Sequence, residues 1–197
     1  MNIDTIKIAE RKATEVHFSG FGGQGVILAG DITGKAAAIF ENRHATLTRS
    51  FGPESRGGAC SASVVIADQR VDYPLLRRMD ILIAMSQAAY LKFIDDLKPG
   101  GLLVYEEDLV RLEKPREDIK SYAIPATRFA EELGRRIVLN IVMLGFFTAV
   151  TQVVSVEAMR KAVLDSVPAG TEKLNLSAFD KGYEYGKLVS PAYGAGG

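Results

Sequence analysis

Two glycine-rich stretches hold the side chains of this sequence whose types and spacing could do chemistry. The first, Val16–Gly25, reads VHFSGFGGQG: Gly20, Gly22 and Gly25 fit the spacing G-x-G-x-x-G, and Gly23 adds a fourth glycine. An apolar run leads into it and a helical pattern leads out, the context in which such a loop holds a phosphate. Glycines allow positive φ and let backbone approach a ligand closely. A helix start after Gly25 offers amides without intrahelical partners and a partial positive charge, both suited to phosphate oxygens. The plain alternative is a turn that packs a helix tightly on a sheet and binds nothing. The second stretch, Arg49–Cys60, reads RSFGPESRGGAC, with two small-residue turns flanking Glu54, Ser55 and Arg56. Such a loop between strands is exposed and restrained, and suits either a polar ligand or docking surface or a solvated turn with an ordinary Glu–Arg pair.

The phosphate carrier can be narrowed. A dinucleotide fingerprint needs an acidic residue at the end of the second strand to grip ribose hydroxyls. Glu41 precedes that strand, Arg49 and Ser50 follow it, and Arg43 and Arg56 are near in sequence, so the reading predicts a cationic neighbourhood and a ligand or partner with several phosphates. It is no P-loop, because Gly34-Lys35 is followed by Ala36 rather than Ser or Thr. The single cysteine, Cys60, and two histidines, His17 and His44, are too few and too dispersed for an iron–sulfur cluster or a structural metal. His17 alternates with apolar residues on a strand and reads as structural, His44 as solvated or in phosphate contact, and Cys60 as a small buried residue at a strand start.

These groups must be positioned by a chain of 197 residues, 47% apolar, with 24 Lys+Arg against 24 Asp+Glu. That supports one sizeable core and supplies no global field to draw nucleic acid. Strands are expected at Glu15–Ser19, Ala45–Thr48, Cys60–Ala67, Asp80–Met85, Gly101–Tyr105 and Ile119–Ile124, with a short segment near Val71. Helices are expected at Gly25–Phe40, from Ser86 as N-cap to Leu97, and at Thr127–Leu133, Arg136–Val153, Ser155–Ser166 and Leu176–Val189, with KPGG (98–101) as a helix stop and turn. The alternation gives an α/β class: a three-layer, Rossmann-like, mainly parallel sheet with helices on both faces and a helical C-terminal part. Residues 1–14 form an extension, 15–190 a single α/β domain and 191–197 a loose tail. The start carries no apolar secretion segment, so the expected compartment is the cytoplasm. Ile137–Val154, 18 mostly apolar residues interrupted by Asn140, Gly145, Thr148, Thr151 and Gln152, reads as a buried or interface helix rather than a membrane span.

The ordered set GFGGQG, SFGPESRGGACSASVVIA, VDYP, DILIAMSQAAY and NIVMLG resembles the gamma subunits of 2-oxoacid:ferredoxin oxidoreductases over about Val16–Val189. The GPESRGG form is most similar to the 2-oxoglutarate type, the pyruvate and branched-chain (ketoisovalerate) types tending to differ there. The resemblance implies a non-catalytic subunit of a multi-subunit enzyme that decarboxylates a 2-oxoacid to an acyl-CoA and passes electrons to ferredoxin. Thiamine diphosphate, Mg and the iron–sulfur clusters would then sit on partner alpha, beta and delta subunits. That agrees with the residues here: one cysteine, and Gly30-Asp31 without the second glycine of a thiamine diphosphate motif. The implied role of this chain is assembly and part of the coenzyme A site. Gly20, Phe21, Gly22, Gly23, Gln24 and Gly25 would form its loop, with Phe21 against adenine or the pantetheine arm, Gln24 hydrogen-bonded to it, and Arg49, Glu54, Ser55 and Arg56 as further contacts. Three readings stay side by side: this one, a stand-alone NAD(P)-binding domain, and a purely structural subunit. The apolar helix from Arg136 also makes a homodimer plausible when partners are absent.

Overall fold

The computed structural model describes residues 13–51, 59–70, 78–113 and 115–189. Glu54, Ser55, Arg56, the VDYP segment and most of both terminal extensions lie outside them. The strands are β1 (Ala13–Phe21), β2 (His44–Phe51), β3 (Ala59–Ala67), β4 (Met79–Ala84), β5 (Leu97–Glu106) and β6 (Lys120–Ile124). The helices are α1 (Val26–Lys35), α2 (Gln87–Phe93), α3 (Ala126–Glu132), α4 (Leu139–Thr151), α5 (Val156–Leu164) and α6 (Glu172–Val189).

One six-stranded sheet has the order β2-β3-β1-β4-β5-β6. β1, β4, β5 and β6 pair in parallel, whereas β3 lies antiparallel to both β1 and β2. Five strands therefore run one way and β3 alone is reversed. The expected mainly parallel sheet stands with that one inversion, whose cause is local. Only residues 52–58 separate β2 from β3, too few for a crossover to a parallel neighbour.

Side-chain alternation splits the sheet into two faces. Phe18, Ala62, Val64, Ile81, Ile83, Leu102 and Val104 point into a large core shared with α1, α3, α4, α5 and α6. Leu82, Leu103 and Tyr105 point the other way, under α2. On that second face His17 is 6% exposed. Its Nδ1 lies 2.8 Å from Ser63 Oγ, and its ring packs 4.3 Å from that of Phe93.

Every residue of α4 is buried. The apolar stretch is used up inside one chain, between the sheet-side helix α1 and the outer helices α3, α5 and α6. Among the described residues α4 itself therefore offers no apolar face to a second copy, and of the expected apolar stretch Ile137, ahead of α4, stands exposed. Its threonines turn inward without cost, because Thr148 and Thr151 donate to the carbonyls of Leu144 and Phe147. No helix among the described residues is long and apolar enough to cross a membrane. α4 and α6 meet backbone to backbone: a Cβ added at Gly145 or Gly182 would lie 1.9 Å from the carbonyl oxygen of Phe179 or Val142.

Several boundaries move. β1 starts two residues earlier and continues to Phe21, and β2 continues to Phe51, because the β2–β3–β1 pairing holds unbroken to the glycine loop. The helix after that loop ends at Lys35 and widens into a π-helical turn over Ala36–Phe40. α6 begins at Glu172, a turn ahead of Leu176. KPGG does not separate helix from strand. Leu97 already pairs with Met79, and Leu102 with Ile81, so residues 98–101 bulge out of a single strand. Lys98 explains the bulge: its Nζ sits 3.0 Å from Glu15 and 2.9 Å from Asp80, tying three strands. Ser86 caps α2 as expected, accepting from Ala89 N at 3.2 Å.

Two outcomes follow. Gly145→Ala forces helix backbones apart and is expected to cost about 3 kcal/mol, a Tm loss of roughly 10 °C by calorimetry. Burial, with Lys92 nearby, holds the His17 pKa down to about 4, against an unfolded value near 6.5. Neutral His17 therefore stabilises fully above about pH 6.5. Between 6.5 and 4 the unfolded chain takes up a proton that the folded chain refuses, removing up to about 3 kcal/mol. Urea unfolding at several pH values in that window should show this slope, and His17→Gln should flatten it.

Candidate functional site at the glycine loop

Gly20 pairs with Cys60, and Cys60 with Phe51, so the glycine loop, the start of β3 and the end of β2 share one end of the sheet. Met85, just after β4, donates to Ser19 O at 2.8 Å and brings a fourth element there. After β1 the chain turns to α1 on one face, and after β4 to α2 on the other. The crevice between β1 and β4 is thus the point where connections diverge, where ligands bind in open α/β sheets.

Gln24 lies across that crevice. Its Oε1 accepts from Phe21 N at 2.7 Å and its Nε2 donates to Met85 O at 2.7 Å. Both ends of the amide that could have met a ligand are thus taken: one closes the turn on Phe21 and the other ties the loop to Met85, just after β4. Gly20 makes room for it, since a Cβ there would lie 2.5 Å from Gln24 Oε1. Gly23 and Gly25 take φ of 97° and 72°, the left-handed region that favours glycine.

With the crevice plugged, open space lies to the side of the loop. A cavity of about 710 Å³ runs from the loop over the first turn of α1. Its other walls are Phe51 and Cys60 of the hairpin strands, Asn140 and Ile141 of α4, and the α5–α6 connection around Pro168. The first-turn amides of α1 have no intrahelical carbonyl to meet. Among the described residues no side chain caps them, and no acidic residue stands in that turn. The cavity thus combines an uncapped helix start with largely apolar walls, and Phe51 and Ile137, 69% and 76% exposed, stand at its mouth. A second cavity of about 430 Å³ shares Gly23 and Ile137 and reaches Gln24, Thr127 and Arg136. Phe21 is partly exposed at the loop tip.

The charges fall differently from the expected cationic cluster. Arg49 lines a neighbouring cavity with Lys35 rather than the one beside the loop, and its Nε and Nη2 both donate to Asp31 Oδ1, at 3.0 and 2.8 Å. Asp31, read from sequence as a helix residue only, lines the cavity and orients this guanidinium. Arg43 is at the opposite end of the sheet, bound to Asp68 and to the Val153 carbonyl. His44 is there too, since it pairs with Ala67 and Ala67 with Ala13, so it cannot meet a phosphate at the loop. Glu41 shares that far end and accepts from Ser155 N at 2.6 Å. The only acid with the sequence spacing of a ribose grip therefore points away from the glycine loop, which removes the basis for NAD(P). Cys60 is half-buried: it packs against the large core and also lines the cavity, its pKa raised by burial.

Sequence reasoning missed Phe51, Ile137 and Asn140 as cavity residues, and Glu106 as a support. Glu106, at the end of β5, is fully buried. It accepts from Leu109 N at 2.7 Å and Thr127 N at 3.0 Å, and burial raises its pKa against those bonds. It fixes the start of α3 beside the second cavity. The signal available was an acid closing a strand pattern just before a turn.

The model of the family described as pyruvate ferredoxin/flavodoxin oxidoreductase matches residues 15–185. The chain belongs to this family. Within the family, it is 54% identical over 175 residues to the 2-oxoglutarate synthase subunit KorC of Methanocaldococcus jannaschii, covering 88% of this chain and 94% of that one. The KorC subunit of Methanothermobacter thermautotrophicus is 50% identical over 177 residues, 86% and 93% of the two chains. Among solved structures, the gamma subunit of a keto/oxoacid ferredoxin oxidoreductase from Geobacter sulfurreducens superposes with a TM-score of 0.82 at 41% identity, over 91% of this chain and 99% of that one. The 2-oxoglutarate:ferredoxin oxidoreductase of Magnetococcus marinus, solved with 2-oxoglutarate, coenzyme A and succinyl-CoA, gives 0.84 at 26% identity, over 93% of this chain and 32% of that one. The family fold thus stands alone in one structure and as a third of a longer chain in the other.

Gln24→Ala removes the bond that closes the turn on Phe21 N and the tie of the loop to Met85, just after β4. Hydrogen exchange at the Phe21 amide should speed up, and stability should fall by about 2 kcal/mol, the cost of two backbone groups losing a partner.

Proposed function

We propose that this chain is the gamma subunit of a multi-subunit 2-oxoglutarate:ferredoxin oxidoreductase of the cytoplasm, which supports formation of the acyl-CoA by contributing to the coenzyme A site and to assembly. One observation carries the reading: the cavity beside the glycine loop, where an uncapped helix start meets largely apolar walls. Coenzyme A has the matching parts. Its phosphates suit the α1 amides and the oriented Arg49 guanidinium. Its adenine suits the face of Phe21 or Phe51, and its pantetheine arm suits the apolar walls. Glu54, Ser55 and Arg56, in the seven-residue link between Phe51 and Ala59, are further contacts of the same proposal. The coenzyme A held by the Magnetococcus relative supports it as well.

A single cysteine cannot hold an iron–sulfur cluster, and among the described residues no His, Cys, Asp and Glu cluster suits a metal. The thiamine diphosphate with its Mg, and the clusters that pass electrons to ferredoxin, belong in this reading to the alpha, beta and delta partners. This chain then works from beside the reactive centre, holding the acyl acceptor.

The test uses the enzyme purified from native cells through a tag on this chain. Thiamine- and cluster-bearing chains should accompany it. In the assembled enzyme, Arg49→Ala and Phe51→Ala should each raise the KM for coenzyme A about tenfold, roughly 1.4 kcal/mol of lost contact, with the KM for the 2-oxoacid unchanged. An unchanged coenzyme A KM in both variants, or turnover of a 2-oxoacid by this chain alone, overturns the proposal.

A further inference from the structure

We infer that Asn140 is a positioning residue that holds the glycine loop in its ligand-binding shape; the inference rests on the coenzyme A reading of the cavity. Asn140 occupies the first turn of α4, is 3% exposed and is flanked by the apolar side chains of Leu139 and Ile141. A buried amide among hydrocarbons costs stability unless it meets a polar group. The group it meets is in the loop: Asn140 Nδ2 donates to Gly25 O at 3.3 Å, across 115 positions of sequence. That same oxygen accepts from Ala29 N at 2.9 Å, the first hydrogen bond of α1. Asn140 therefore grips the atom at which loop becomes helix.

The contact is steric as well as polar. Gly25 has φ 72°, and a Cβ placed on it would lie 2.5 Å from Asn140 Nδ2 and 2.6 Å from its Cγ. The carboxamide fills the space that the missing side chain leaves, so the direction of the α1 amides is set by a side chain of α4. Gln24 holds the other flank of the loop to β4. The loop is thus clamped from two sides, and the Asn140 side is the one that aims the first turn of α1 into the cavity.

The test compares variants in the assembled enzyme. Asn140→Ala should raise the coenzyme A KM about tenfold while leaving assembly and the 2-oxoacid KM unchanged, and hydrogen exchange at the Val26–Leu28 amides should speed up. Asn140→Asp, equal in size but with an acceptor facing Gly25 O and a negative charge beside the phosphate cradle, should be worse than Asn140→Ala. A purely structural role predicts no such order in the coenzyme A KM. Gly25→Ala combined with Asn140→Ala should lose less than the sum of the two, because the clash disappears. Should Asn140→Ala fail to assemble, Asn140→Ser carries the same comparison. If Asn140 variants keep the wild-type coenzyme A KM while Arg49→Ala and Phe51→Ala raise it, the inference fails and the functional reading stands. If none of them moves it, both fall.

Discussion

The close approach of α4 and α6 at Gly145 and Gly182 sets the positions of the parts that matter. Carbonyl oxygens of one helix occupy the space where the other would carry a Cβ, so the two axes cannot separate or slide without opening a void in the largest core cluster. α4, held this way, delivers Asn140 to Gly25 at its N-terminal end. α6 begins at the α5–α6 connection, so the same contact places the far wall of the cavity. A short helix held only by side-chain packing would leave both walls free to drift by the half-ångström that separates a formed anion site from a loose one.

The two ends of the sheet have different work. At the end away from the glycine loop, charges are spent on one another: Lys98 bridges Glu15 and Asp80, and Arg43 joins Asp68 and Glu41. These partly exposed pairs are worth little energy, but the Lys98 pairs sit where β1, β4 and β5 begin, and the Arg43 pairs where β2 begins and β3 ends. At the loop end, backbone and amide groups do the holding and few charges intervene. Among the described residues the local positive character there comes from helix amides rather than from a cluster of cations.

The sequence made the loop legible because its signal is conformational: Gly23 and Gly25 stand where positive φ is required, and that need is written in residue type. Strand identities were legible for the same reason, since β-branched runs such as CSASVVIA bury on both sides of a sheet. The reversal of β3 was hidden, because a strand pattern does not encode direction and only the length of the 52–58 link bears on it. The charge partners were hidden too. Arg49 looked like a free cation because Asp31 lies 18 positions away, on α1 rather than on its own strand, and Arg43 looked close to the loop in sequence although α1, which lies between them, carries it to the far end. Asn140 read as a polar blemish in an apolar run, and only the fold shows that the blemish faces Gly25.

The pairing of Arg49 with Asp31 bears on how the cavity can hold an anion. A phosphate approaching that guanidinium meets a charge already compensated at 2.8 Å, so its gain there is geometric more than coulombic: the carboxylate holds the donor fork in place, and the phosphate uses what the fork still presents. The first-turn amides of α1 are different, because among the described residues no side chain caps them. Any anion bound here must draw most of its stabilisation from those backbone donors, whose direction no arginine substitution can restore once the turn at Gly25 has moved. The site therefore depends on loop conformation before it depends on charge, and the two side chains that set that conformation, Gln24 and Asn140, carry no charge at all.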